Sequence, residues 1–332
     1  MSEHPTAAPV RWGILGAGAV TERKSGPAFQ QARGSQLVAV MRRDGAKAAD
    51  YARRHGVPSW YDDADALLAD PAVDAVYVAT PPDTHAELTL RAAAAGKPVY
   101  VEKPMARTAQ ECEGMLAACA AAGVPLFVAY YRRALPRFLA VRDLLADGTI
   151  GEARTVVVRT QKPTGHWPTD PPPWRVRPEV AGGGLFVDLG SHTLDVLDML
   201  LGPVTGVASH VANLGGRFAA EDTVAASFTF ASGVHGVGLW SYDVQESLDV
   251  VEIAGTAGTL RFPCFEDGSV TVVTAHGTRE VLAPDPEAVQ LPLVQAVVDA
   301  LRGTGTCPST GESALRTARV VDAVLEGYRA RR

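Results

Sequence analysis

The chain is 332 residues long, 47% of them hydrophobic and 20% charged, with 31 Lys and Arg against 37 Asp and Glu for a formal charge of −6. At roughly 150 residues per domain this length suits about two domains, and the acidic balance argues against a nucleic-acid binder, which carries a basic patch. The longest apolar run, 120–131, contains Gly123 and Pro125 and falls short of the ~18 residues of a membrane span, so neither nucleic acid nor membrane is an expected partner.

The first ten residues include Glu3, His4 and Pro5 and lack the apolar stretch of an export signal. The four cysteines (Cys112, Cys119, Cys264, Cys307) form no C-x-x-C pair. A cytoplasmic protein with reduced core thiols is expected. Residues 10–15 predict a strand, followed by a glycine-rich turn and one helix to about residue 33. A second strand spans 36–41, and 45–55 predicts a helix with Gly56 just past its end. Residues 73–79 (VDAVYVA) form an apolar run of the kind buried on both faces of a parallel sheet. Thr84 and Glu87 have capping-box spacing, and the helix they open ends at Gly96. A strand at 98–101, a second capping box at Thr108 and Glu111 with its helix closed by Gly123, and a strand at 126–129 follow. Such strand–helix–strand units impose parallel strands and right-handed crossovers.

After about residue 130 the rhythm changes. A helix at 136–147 leads to a strand at 153–160, then to a loop at 161–178 with six prolines, Trp167 and Trp174. Three glycines, 182–184, open a helical stretch to residue 201. Between 204 and about 282, β-type runs (223–230, 234–240, 248–254, 269–274) alternate with turn signals and no helix, the pattern of a largely antiparallel sheet. Two amphipathic helices, 292–302 and 311–329, finish the chain. The expected fold class is α/β. A doubly wound parallel sheet spans 1–130. An α+β domain spans 131–332, built on a large open, mostly antiparallel sheet, with the terminal helix able to pack back on the first domain.

Directly after the first strand stands Gly13-Ile-Leu-Gly16-Ala17-Gly18-Ala19-Val20-Thr21. Gly16 and Gly18 match the first two glycines of G-x-G-x-x-G. One allows a tight turn; the other, lacking a Cβ, lets backbone 16–20 approach a pyrophosphate at the helix N-terminus. Thr21 replaces the third glycine, which would set the helix slightly further from the strand. The position, after a strand and before a helix, is the context that supports dinucleotide binding. Where an Asp or Glu would take the ribose hydroxyl of NAD, the sequence reads Val40-Met41-Arg42-Arg43-Asp44. Guanidinium groups suit a 2′-phosphate, which favours NADP(H) over NAD(H). Asp44 is the counter-argument, and a solvated Arg42–Arg43 loop the plain alternative.

Val101-Glu102-Lys103-Pro104 closes a strand at the edge where functional groups of such sheets gather. A partly desolvated lysine there can hydrogen-bond a reacting oxygen, with Glu102 as partner and Pro104 restricting Lys103 towards extended geometry. An ordinary strand-end ion pair is the alternative. In the second half Asp188, His192 and Asp195 stand at i, i+4 and i+7, one face of a helix, where the imidazole can move a proton and a carboxylate orient it. A metal site is the rival reading. The remaining histidines (His4, His55, His85, His166, His210, His235, His276) lack ligand spacing, so no metal is expected.

Together GILGAG (13–18), ATPPDTH (79–85), AGKPVYVEKP (95–104), Trp174-Arg175 ahead of three glycines, and D-x-x-x-H-x-x-D (Asp188, His192, Asp195) resemble the glucose–fructose oxidoreductase / inositol 2-dehydrogenase / rhizopine-catabolism (Gfo/Idh/MocA) family. The resemblance implies an N-terminal Rossmann domain and a C-terminal domain whose open sheet often builds a homodimer or homotetramer. It also implies NAD(P)-linked oxidation or reduction at a carbinol carbon of a sugar, polyol or related molecule. By that likeness Lys103 sits between nicotinamide and substrate, and His192 is the acid/base with Asp188 as companion. Thr80, Pro81, His85 and Glu102 then line the cofactor path, and Trp174 and Arg175 touch the cofactor. Arg42 in place of the acid is similar to NADP-using members. Tyr130, Tyr131, Arg132 and Arg133, with the 161–178 loop, are expected pocket walls. A non-catalytic NADP(H)-binding sensor and an NAD-dependent glycoside-cleaving enzyme stay open on the sequence alone.

Overall fold

A computed structural model describes residues 8–331, so the reading of residues 1–7 as lacking an export signal lies outside the described residues. The strands are β1 Val10–Leu15, β2 Ser35–Met41, β3 Ser59–Tyr61, β4 Ala75–Val78, β5 Val99–Val101, β6 Leu126–Val128 and β7 Ala153–Gln161, then β8 Val204–Ala212, β9 Thr223–Phe230, β10 His235–Ser241, β11 Leu248–Gly255, β12 Gly258–Phe262, β13 Val270–Thr274 and β14 Gly277–Val281. The helices are α1 Ala19–Arg23, α2 Gly26–Gln31, α3 Gly45–His55, α4 Ala64–Leu68, α5 His85–Ala94 and α6 Ala109–Ala121, then α7 Pro136–Ala146, α8 Pro178–Ala181, α9 Ser191–Leu201, α10 Leu291–Leu301 and α11 Gly311–Arg329. The chain divides into two compact units. One holds the residues up to Ala106 with Gln110–Tyr131 and Pro286–Glu312; the other holds Arg107–Ala109, Arg132–Asp285 and the residues from Ser313 onward. Thus α10 counts with the first unit and α11 with the second.

The first unit is a Rossmann-type parallel sheet in the order β3-β2-β1-β4-β5-β6. The order reverses between β1 and β4, where sheets of this kind open a crevice beyond their strand ends. β4 and β5 are buried throughout, as their apolar sequences require of central parallel strands. A column of buried rings, Trp12 to Phe29 (4.9 Å), Phe29 to Tyr77 (5.0 Å) and Tyr77 to Tyr100 (5.1 Å), packs against β1, β4 and β5. α3 has the predicted limits because both ends are fixed locally. The Asp44 carboxylate accepts from the Lys47 amide, and Gly56 takes the left-handed C-cap at φ +65°.

Three expectations for this unit need correction. The single helix to residue 33 is two helices, α1 and α2, because Pro27 in the first turn of α2 has no N–H with which to continue α1. Thr84 does not form a capping box. It ends a 3₁₀ turn with φ −112° and ψ −1°, and its hydroxyl donates back to the Pro81 carbonyl (3.1 Å) and shares a hydrogen bond with the Thr80 hydroxyl (2.7 Å). Glu87 pairs instead with Arg91. The short elements β3 and α4 were not anticipated, since neither carries a long enough periodic pattern.

Glu22 gives this unit a pH-dependent tie. Its carboxylate accepts from Arg54 and from His55 Nε2 (2.7 Å), and Arg54 above all holds its carboxyl down at about 2. The unfolded chain binds this proton near its ordinary value of about 4.3. The tie is therefore complete above that pH and lost as pH falls towards about 2. Denaturation measured at pH 6 and about pH 3 is expected to show an acid-side loss of stability that Glu22→Gln reduces; an unchanged pH slope in the variant contradicts this.

The second unit is an eight-stranded sheet in the order β14-β13-β12-β11-β7-β10-β9-β8, antiparallel at every pairing except β10 with β7. Burial alternates residue by residue along β9 and β10, as one-sided packing requires. On the covered face Trp240 of β10 meets Phe186 (5.0 Å) and Phe228 (6.3 Å). Cys112, Cys119 and Cys264 are buried and in no disulfide among the described residues, whereas Cys307 is only half-buried rather than in a core. Among the described residues no helix is long and apolar enough to cross a membrane, and no group of His, Cys, Asp and Glu has the makings of a metal site.

Candidate functional site

In the first unit the glycine turn is built by the ends of β1 and β2. The amides of Gly16 and Ala17 both donate to the Met41 carbonyl at 3.0 Å. Gly16 has φ +96°, and a Cβ there would lie 2.5 Å from the Thr80 side chain, so only glycine fits. At Gly18 a Cβ would find nothing nearer than 3.8 Å. No protein contact demands glycine at 18; the open space beside it is what a closely approaching phosphate requires. Thr21, in place of the third glycine, closes the turn from within, since its Oγ1 accepts from Gly18 N and donates to Gly18 O, both at 2.9 Å. Of the expected cradle, the amides of Gly16, Ala17 and Gly18 are thus engaged with the protein. Those of Ala19 and Val20, in the first turn of α1, have no intrahelical acceptor. The turn fits a dinucleotide pyrophosphate through these two amides and the gap at Gly18.

Arg42 is the first residue beyond β2, its amide held by the Tyr61 carbonyl at 3.1 Å. Its side chain is half-buried and that of Arg43 exposed, and among the described residues neither forms an ion pair. Asp44 has other work. Beyond capping α3 it meets Lys47 Nζ at 2.9 Å, and that lysine lowers its carboxyl below the ordinary range.

At the end of β5, Glu102 is buried and its carboxylate is closed by donors. Oε1 accepts from the Tyr77 hydroxyl and from Gln290 Nε2 (2.9 Å), and Oε2 accepts from the Lys103 amide (3.1 Å). Burial and the Glu102 charge push the Tyr77 hydroxyl well above its usual range. Glu102 therefore holds the backbone of the Lys103 turn instead of facing a ligand. The Lys103–Pro104 bond is cis. Gln290 was missed by sequence reasoning, being 188 residues distant and in no motif. His85 was expected along the cofactor path, but it is fully buried with its ring nitrogens against the carbonyls of Thr80, Pro104 and Met105, so it presents nothing to a ligand. Thr80 and Pro81 do reach the surface, whereas Tyr130 is buried.

In the second unit the expected single helix from residue 182 is interrupted. A π turn, Phe186–Gly190, runs directly into α9. Asp188 lies in that wider turn, so its spacing to His192 is not that of one α-helical face. Its carboxylate meets Arg175 Nε at 3.1 Å, and the Arg175 guanidinium lies 4.4 Å over the Trp174 ring. Trp174, Arg175 and Asp188 are thus brought together. His192 is 3% exposed in the first turn of α9, its ring centroid 6.1 Å from that of Phe265 in a T-shaped arrangement. Arg132, expected as a pocket wall, is buried. Its Nε donates to the Cys264 carbonyl (2.8 Å) and its guanidinium stacks on Phe265 at 4.6 Å. Arg137 ties the same loop through the carbonyls of Pro263 and Glu266. Phe265, missed from the sequence, is thereby held beside His192.

Asp195 is held by an arginine. Arg133 grips both its oxygens (3.0 and 2.8 Å) and also reaches Asp198 (2.8 Å), which Arg316 meets from its other side. Burial pushes the Asp195 carboxyl up to about 6 against the pull of Arg133.

Residues 10–130 match the model of an oxidoreductase family with an NAD-binding Rossmann fold, and residues 138–261 match that of the GFO/IDH/MocA C-terminal domain. An oxidoreductase of Formosa agariphila is 33% identical over 315 residues, 94% of this chain and 97% of that protein. A 1,5-anhydro-D-fructose reductase of Ensifer adhaerens is 32% identical over 312 residues, 91% of each chain. An aldose-aldose oxidoreductase of Caulobacter crescentus, solved with glycerol, superposes with a TM-score of 0.84 at 29% identity over 98% of both chains.

Proposed function

The chain belongs to the Gfo/Idh/MocA oxidoreductase family, and from that premise we propose that it is an NADP(H)-dependent dehydrogenase or reductase acting on a sugar, polyol or related small molecule. The observation that carries the proposal is the Lys103 turn. A lysine at the end of a central parallel strand has its backbone locked by a saturated carboxylate, in the same unit as an open glycine turn. The bound nicotinamide supplies or accepts the hydride. The amides of Ala19 and Val20 and the gap at Gly18 hold the pyrophosphate. Lys103 hydrogen-bonds the reacting oxygen. His192 takes the hydroxyl proton in oxidation and returns it in reduction, and Asp188, braced by Arg175, is its companion carboxylate. The named substrates of the Ensifer and Caulobacter relatives support the sugar class.

The choice of NADP(H) rests on Arg42. The family model is described as NAD-binding, but the one acid near the end of β2, Asp44, is occupied as a helix cap, which leaves the two guanidinium groups for a 2′-phosphate. Arg42→Ala is expected to weaken NADPH binding by about tenfold or more, the scale of one charge-assisted contact, with NADH changed far less. Equal or tighter NADH binding by the unaltered protein contradicts the choice. A screen of aldoses, ketoses, inositols and anhydro-sugars, read by absorbance of the reduced nicotinamide, tests the activity. Tight nucleotide binding without turnover of any of them would favour a sensor.

A homo-oligomer through the second unit's sheet is part of the proposal. Its support is the outer face, where Val157 of β7 (36% exposed) adjoins Val237 (51%) and Leu239 (40%) of β10.

A further inference from the structure

Within the first unit, His85 touches two turns at once. Its Nε2 lies 2.8 Å from the Thr80 carbonyl, while its Nδ1 lies 3.0 Å from the Pro104 carbonyl and 3.3 Å from that of Met105. Thr80 packs against the glycine turn, and Pro104 follows Lys103, so the ring stands between the two segments assigned to the nicotinamide end of the site. It is fully buried, and both contacts are direct. A carbonyl oxygen only accepts, so each contact needs a proton on the ring. A neutral imidazole offers one N–H, and either tautomer leaves a bare lone pair facing a carbonyl oxygen at hydrogen-bond distance. Only the imidazolium donates to both turns.

We propose that His85 is a positioning residue that, with a proton on each ring nitrogen, ties the Thr80 turn to the Lys103–Met105 turn and releases one of the two when it loses a proton. Its bearing on catalysis rests on the dehydrogenase reading; the brace itself does not. The forces on that second proton oppose one another. The Glu102 carboxylate, at the end of β5, is the ionisable side chain whose charge acts on the ring, and with the three carbonyls it favours the proton. Burial, the largest influence, disfavours it and sets the ring below the ordinary histidine value. The start of α5 disfavours it too. Raising the pH removes the proton, so the brace is complete on the acid side and half-made on the alkaline side.

The test is a pH titration of the full chain, labelled with ¹⁵N-histidine and with backbone ¹⁵N, followed by NMR without nucleotide or substrate. His85 is assigned on the wild-type chain itself, by through-bond correlation of its ring nitrogens to its own backbone amide. Both ring nitrogens are expected to carry protons at the acid plateau, and the Thr80 and Met105 amide signals to move with the ring's own midpoint. His85→Asn is expected to abolish that shared movement. A single neutral tautomer throughout the pH range of the folded protein overturns the proposal, as do Thr80 and Met105 amides that stay fixed while the ring titrates. Both outcomes are read on the wild-type chain, so they hold even if the variant fails to fold, and they are independent of any enzymatic activity. With activity in hand, kcat should fall by about tenfold, well short of abolition, across the same midpoint while nucleotide Kd stays constant, since a displaced lysine costs rate more than binding.

Discussion

Replacing His192 with Ala is expected to lower kcat by about 10²–10⁴-fold, the usual contribution of a positioned acid or base, while nucleotide Kd changes by less than about threefold. The asymmetry follows from where the residue lies. His192 belongs to the first turn of α9 in the second unit, whereas the glycine turn, Arg42 and the Lys103 turn all belong to the first. The imidazole is 3% exposed, close to a half-buried Phe265 and a π turn that aims Asp188 at Arg175. Steady-state kinetics on the substrate found by the screen, with nucleotide binding by titration, give both quantities. An unchanged kcat removes His192 from the chemistry; a matching loss of nucleotide affinity makes it part of cofactor binding instead.

The second large effect is on stability. Arg133→Ala is expected to cost about 3–5 kcal/mol, because truncating one partner of a buried ion pair strands the other. Arg133 and Asp195 have side chains 5% and 1% exposed. Asp198 keeps Arg316, so the stranded charge is that of Asp195. Burial already pushes the Asp195 carboxyl up to about 6 with the arginine present. Without Arg133 it rises further and takes up a proton, so the cost should be larger at about pH 8 than at about pH 5. Urea denaturation at the two pH values measures both the size and the sign. A loss below about 1 kcal/mol, or one that grows towards acid, contradicts this account of the pair.

Features that depend on neighbours in sequence were legible in advance. The limits of α3 follow from Asp44 and Gly56, and the glycine turn from its place between β1 and α1. The antiparallel character of the second sheet follows from alternating runs without helices, although the parallel pairing of β10 with β7 left no mark in either strand. Features that depend on distant partners were not legible. Arg132 and Arg133 are adjacent, yet one holds the loop that carries Phe265 and the other neutralises two carboxylates on α9. Glu102 looked like a side-chain partner for Lys103 because nothing in the sequence announces that Tyr77 and Gln290 will saturate it. The face shared by Asp188 and His192 assumed uniform α-helical spacing, which one π turn is enough to alter.

The assignment of Lys103 and His192 to a single reacting oxygen is tested most directly by a double-mutant cycle on kcat/KM with Lys103→Met, His192→Ala and the combined variant. If both groups serve one proton transfer, the combined variant should be scarcely slower than the worse of the two single variants. Losses that multiply, each substitution acting in full on the background of the other, would contradict it.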